Sequence, residues 1–156
     1  MRFPRLSLVV RHTNMNTKPS EILIKLARES INLAMKCLST GETLVPFIMT
    51  EGAKGAILTI AGESIEKSIL VAQKTILEFD NGTDAFAFAY DGFLTFQGEK
   101  FDAIFVESGK VSDDKIFVFA QRYKYSGNKK EAERIGNWVC LEKMEPRLNK
   151  DAELGV

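Results

Sequence analysis

The stretch from Thr83 to Tyr90, TDAFAFAY, decides the fold, because three alanines in it alternate strictly with three aromatic residues. A period of two is typical of a β-strand, whose successive side chains point to opposite faces of the sheet. Asp91-Gly92 follows and is the strongest short hairpin signal in the chain. The apolar segments 93–97, 101–107 and 115–124 come next, so we predict a run of antiparallel strands joined by short turns.

Two helices and a hairpin are predicted upstream of this stretch. Apolar residues at three- and four-residue steps predict helices from Pro19 to Leu38 and from Ile65 to about Phe79. Gly41 lies just past the first helix, and Ser64 is the candidate N-cap of the second. The segments 44–50 and 56–61 predict a hairpin, whose first strand lies at an edge or begins after Pro46.

The resulting fold class is α+β, with a single antiparallel sheet of five to six strands and two helices on one face. The order of elements is α-β-β-α-β-β-β-β, with a further strand at 137–142 and one helical turn at 131–135. Residues 15–143 form one domain, between an N-terminal segment 1–14 and a polar tail 144–156. The N-terminal segment is either a disordered tail or gene-start artefact, or a short edge strand from Leu6 to Val10.

The central strands are apolar on both faces, whereas an antiparallel sheet with one face in water alternates apolar and polar residues. Two helices on one face leave the other face uncovered. Phe117 and Phe119 are the candidates for an outward-facing interface, and we expect a homodimer through the sheet or its edge. The alternative is cover by a terminus of the chain or by curling of the sheet.

Composition excludes several classes of chemistry. The 21 basic and 21 acidic residues balance, so no net field favours nucleic acid. No apolar run approaches the roughly 20 residues of a membrane span. His12 is the single histidine, and with two cysteines it cannot supply the four ligands of a structural zinc site. Cys37 and Cys140 are expected to be reduced thiols in a cytoplasmic protein.

The candidate ligand- or partner-binding residues are Glu107, Gln121, Arg122 and Tyr123. Arg122 is predicted either to pair with Glu107 on a neighbouring strand or to recognise an anionic group. Asp102 and Glu107 lie an odd number of residues apart, which puts their side chains on opposite faces and argues against a shared metal ion. The sequence predicts no catalytic residue, metal or cofactor.

These observations favour a small non-enzymatic interaction or regulatory module, with a protein partner or a second copy of the chain. The alternative is a small-molecule-binding domain or a histidine-free enzyme. Its pocket is expected between the helices and the aromatic sheet face, lined by Tyr90, Phe88 or Phe119 and anchored by Glu107 or Arg122.

Overall fold

A computed structural model of the chain describes residues 6–10, 18–52, 57–59, 64–78, 83–111, 116–127 and 131–144. These residues form two helices and one eight-stranded sheet. The elements in chain order are β1 (Leu6–Val10), α1 (Glu21–Ser39), β2 (Phe47–Gly52), β3 (Ile57–Thr59), α2 (Ile65–Leu77), β4 (Thr83–Phe96), β5 (Glu99–Lys110), β6 (Ile116–Ser126), β7 (Glu131–Arg134) and β8 (Val139–Met144). The predicted α+β class, with two helices and one antiparallel sheet, is confirmed.

Six strands follow one another across the sheet in the order β3-β2-β4-β5-β6-β7. The other two strands lie beside the long ones: β1 pairs with β4, and β8 pairs with β6. All neighbours are antiparallel except β1 and β4, which run parallel from the pair Leu6 and Gly92 to the pair Val10 and Phe96. Of the two alternatives for the N-terminal segment, the structure therefore shows the short strand at 6–10.

The start of α2 and the end of α1 lie where their sequence signals predict them. Ser64 caps α2, since its side chain accepts a hydrogen bond from the backbone N–H of Lys67 at 3.2 Å. Gly41 follows the C-cap of α1 with a φ of 81°, and its N–H donates to the carbonyl of Leu38. A glycine adopts this left-handed conformation without steric cost, which allows the chain to turn sharply at the end of the helix.

The predicted hairpin turn at Asp91-Gly92 is wrong, because β4 continues through both residues to Phe96. The turn lies instead at Gln97-Gly98, where both residues have positive φ values of 52° and 77°. That pair of conformations suits a two-residue hairpin between twisted strands. The predicted helical turn at 131–135 is also wrong, because β7 pairs there with the end of β6.

The helices lie on opposite faces of the sheet, and the prediction that both lie on one face is wrong. We call the side under α1 the α1 face; its buried sheet residues include Ala85, Ala87 and Ala89. The reverse, the α2 face, carries Phe86 and Phe88 among the residues that pack with α2. Both β3 and β4 are antiparallel to β2, which lies between them, so α2 joins two parallel strands across the sheet. Each apolar face thus receives its own helix.

Candidate functional site

The four residues predicted to bind a ligand do not form one site. Side chains alternate between faces along a strand, so Gln121 and Tyr123 of β6 point to the α1 face, whereas Arg122 points to the α2 face. Glu107 of β5 lies opposite Phe88 and shares its face, the α2 face. The sheet separates the four candidates into two pairs.

Glu107 is buried on the α2 face, with 4% of its surface exposed. The hydroxyl of Tyr90 donates a hydrogen bond of 2.6 Å to its Oε2 atom. Such a short bond to a carboxylate is a strong one, and it satisfies part of the hydrogen-bonding need of a buried acid. Glu107 is therefore part of the buried core on this face and is not among the residues that line the pocket described below.

Arg122 lies against two aromatic rings. Its guanidinium carbon is 5.1 Å from the ring centroid of Phe96 and 4.9 Å from that of Phe101. Both distances are typical of cation–π contacts. Glu107 pairs with Val118, four positions along β6 from Arg122, so roughly 13 Å of strand separates the two and the predicted ion pair does not form.

Gln121 is fully buried and fixes the segment that connects β7 to β8. Its Nε2 atom donates to the carbonyls of Arg122 at 2.9 Å and Gly136 at 3.1 Å, and its Oε1 atom accepts from Arg134 at 3.4 Å. Arg134 also donates to Asn32 of α1. This network connects the edge of the sheet to the helix and has a structural role.

Tyr123 contacts two residues, Asp91 and Tyr125, that line a pocket in the described part of the chain. Its ring is 1% exposed, and its hydroxyl donates to Oδ1 of Asp91 at 2.8 Å. Asp91 lies in the middle of β4, two residues beyond Ala89, and continues the series that points towards α1. The ring of Tyr125 meets that of Tyr123 edge to face, with centroids 5.7 Å apart.

An open pocket of about 380 Å³ lies beside Asp91, at the C-terminal end of α1. Its walls come from three parts of the chain: the end of α1 and the segment after it, β4, and the end of β6. The lining residues are Leu38, Gly41, Glu42, Thr43, Leu44, Asp91 and Tyr125. Leu38 and Leu44 are buried and give the pocket an apolar floor, while Glu42 is exposed at its mouth.

The carboxylate of Glu42 also affects the pKa of a nearby thiol, that of Cys37. Burial, and secondarily the carboxylate of Glu42, raise the pKa of Cys37, which lies in the last turn of α1. Burial alone raises the pKa of Cys140 in β8 to about 11. Both thiols are free and keep their protons at neutral pH.

The pocket beside Asp91 is lined by none of the residues that the sequence predicted for a ligand pocket. Tyr90 and Phe88, two of its predicted lining residues, are buried in the α2-face core. Phe119, the third, and Phe117 are buried under α1, so neither presents a ring outward to a second copy of the chain. Asp91 was missed because it was assigned to a turn. The signal that could have found it is the alternation of Ala85, Ala87 and Ala89, which continues to this acid.

No family model, curated protein or solved structure matches the chain. Among the described residues, no group of three or more His, Cys, Asp or Glu side chains is placed to hold a metal ion. No helix in that part of the chain is long and apolar enough to cross a membrane.

Proposed function

We propose that the chain is a non-enzymatic binding module that takes up a small molecule in the pocket at the end of α1. The observation that carries this proposal is the hydrogen bond from the buried Tyr123 to Asp91. Aspartate is depleted in β-strands, yet Asp91 interrupts an apolar series in the middle of the 14-residue strand β4. A tyrosine that fixes a carboxylate at the wall of a cavity gives that wall a defined polar group.

The shape of the pocket supports the same proposal. Its volume of about 380 Å³ falls within the range of roughly 300–1,000 Å³ that small-molecule sites occupy. Leu38 and Leu44 offer apolar surface, and Asp91 offers one oriented polar group. An apolar floor with few polar anchors is the usual composition of such sites.

A second candidate function is protein interaction through the edge strand β3, either with another protein or with a second copy of the chain. Ile57 in β3 is 55% exposed, the largest exposure among the large apolar side chains described. An edge strand also presents unpaired backbone groups to a partner. Under this candidate, Ile57→Lys converts a dimer to a monomer in analytical ultracentrifugation; a wild-type chain that sediments as a monomer at all concentrations argues against self-association.

We also propose a cytoplasmic location. The free state of both Cys37 and Cys140 supports it, because reducing compartments keep thiols unpaired.

The pocket proposal is tested by screening the ¹⁵N-labelled chain against small fragments of mixed charge, with backbone amide shifts in NMR as the readout. We expect the hits to shift the amides of Gly41, Thr43 and Asp91. Thr43 is exposed and lines the pocket, so Thr43→Trp fills its mouth and removes these shifts. Glu29→Trp, at an exposed position of α1 outside the lining, is the matched control and keeps them. Hits that map elsewhere, or that persist in Thr43→Trp, overturn the proposal.

A further inference from the structure

The pocket carries charge of one sign among the residues that line it. Asp91 and Glu42 are both acidic, and none of the five other lining residues described is basic. Tyr123 holds Asp91 from the side of the sheet, whereas Glu42 approaches from the segment after α1. The two acids therefore come from separate parts of the chain and line the same cavity.

Two further features of the pocket also attract positive charge. The first is the C-terminal end of α1, where Leu38 lies in the lining; the helix dipole leaves about half a negative charge at this end. The second is the ring of Tyr125, which is 43% exposed and lines the cavity. The face of an aromatic ring is electron-rich and binds cations.

We propose that the ligand is an organic cation: a primary ammonium or guanidinium group on a small apolar body. The charged head lies between Asp91 and Glu42, near the ring of Tyr125, and the apolar body lies on Leu38 and Leu44. A divalent metal ion fits this lining less well, because an ion held by only two carboxylates keeps several waters, and the side chains of Leu38 and Leu44 cannot hydrogen-bond to them. This inference rests on the proposed function and specifies its ligand class.

The test uses three probes of nearly equal size and different charge: benzylammonium, benzyl alcohol and benzoate. Each is titrated into the ¹⁵N-labelled full-length chain at neutral pH, and the amide shifts of Gly41 and Thr43 report occupancy. We expect benzylammonium to bind at least about tenfold more tightly than benzyl alcohol, and benzoate not to bind. Added salt is expected to weaken benzylammonium binding, because both acids are near solvent.

Variants that neutralise one acid at a time identify which carboxylate binds the cation. Asp91→Asn keeps an oxygen that can accept from Tyr123, and Glu42→Gln changes an exposed residue, so both are expected to fold. Each is expected to weaken benzylammonium binding severalfold. Glu133→Gln removes an exposed acid from β7, outside the lining, and is the control that leaves binding unchanged.

The outcomes separate this inference from the proposed function. If the three probes bind the pocket with equal affinity, or if the neutral variants bind benzylammonium as wild type does, the cation assignment is overturned and the pocket stays a ligand site. If no probe shifts the pocket amides and the mixed-charge fragments also fail there, the proposed function is overturned as well.

Discussion

The α1 face and the α2 face of the sheet are both apolar, but β4 gives them side chains of opposite size. It presents Ala85, Ala87 and Ala89 to the first and Phe86, Phe88 and Tyr90 to the second. Opposite the alanines of β4, the bulk comes from the 19-residue helix, which brings Leu23, Leu26, Ile31 and Leu38. On the α2 face the sheet supplies the bulk, and the 13-residue α2 adds Ile69 and Ala72.

The difference explains where the pocket lies. A strip of alanines allows a helix to pack close to the sheet for as long as the strip lasts. The strip ends at Ala89, the next residue on that face is Asp91, and α1 ends at Ser39. The helix and the alanine strip of β4 therefore end together, and the cavity lies beyond them.

The largest expected effect comes from removing bulk from the α2 face. Phe105 is 1% exposed, and its ring stacks with that of Tyr90 at a centroid distance of 5.7 Å. Phe105→Ala leaves a cavity, since the short α2 cannot fill it, and we expect a loss of about 3–5 kcal/mol in the free energy of unfolding. Urea denaturation followed by circular dichroism measures it. A loss below about 1 kcal/mol contradicts the assignment of the bulk to the sheet on this face.

Adding bulk to the α1 face is the complementary change. Ala87 is completely buried under α1, so Ala87→Leu pushes the helix away from the sheet. We expect a loss of about 1–3 kcal/mol in the free energy of unfolding, measured in the same denaturation experiment. Lys124→Leu, at an exposed position of β6, is the control and changes stability by less than about 0.5 kcal/mol. An Ala87→Leu variant as stable as the wild type shows that α1 is not packed closely on the strip.

Arg122→Ala sharpens the distinction between the faces. The variant loses the contacts with Phe96 and Phe101, which predicts a decrease of about 1 kcal/mol in stability. Because Arg122 points to the face opposite the pocket, benzylammonium affinity stays at the wild-type value. Loss of benzylammonium binding in this variant, with stability unchanged, instead contradicts the assignment of the ligand to the opposite face.

The smallest effect concerns the two thiols. Their raised pKa values lower the thiolate fraction at any pH below the pKa, so alkylation by iodoacetamide is slow at pH 8 and accelerates as the pH rises. Glu42→Gln removes a charge that raises the pKa of Cys37, so Cys37 reacts faster in the variant. Cys140, whose pKa is raised by burial alone, is the internal control and reacts at the same rate. Peptide mass spectrometry measures both rates; an unchanged Cys37 rate shows that Glu42 lies too far away to act.

Much of this fold was accessible from sequence, because local signals determine its helices. Apolar residues at helical spacing predicted both helices. Ser64 predicted the start of α2 and Gly41 the end of α1, and the structure confirms both boundaries. Local signals misled at Asp91-Gly92, where pairing with β5 through the whole of β4 overrides the turn preference. The face on which each helix lies was beyond reach, because it depends on how the chain crosses the sheet and not on any residue pattern.

The candidate site was less accessible than the fold. Tyr123 was identified, but the role proposed for it with Gln121 and Arg122 assumed that neighbours in sequence act together. In a strand, adjacent residues point to opposite faces, so that grouping separates in three dimensions. The hydrogen-bond partner of Tyr123, Asp91, lies 32 positions away in the sequence, and the two come together only when β4 and β6 take their places in the sheet. Glu42 joins Asp91 in the pocket lining only after α1 has packed on the sheet.

A matched pair of hydroxyl deletions, one on each face, tests the central claim most directly. Tyr123→Phe removes the donor to Asp91 at the pocket, and Tyr90→Phe removes the donor to Glu107 in the opposite core. Benzylammonium affinity is measured by amide shifts in both variants, after circular dichroism has shown that each is folded. We predict a severalfold loss of affinity in Tyr123→Phe and wild-type affinity in Tyr90→Phe. Equal affinities in the two variants, or a loss confined to Tyr90→Phe, would contradict the assignment of the ligand site to the α1 face.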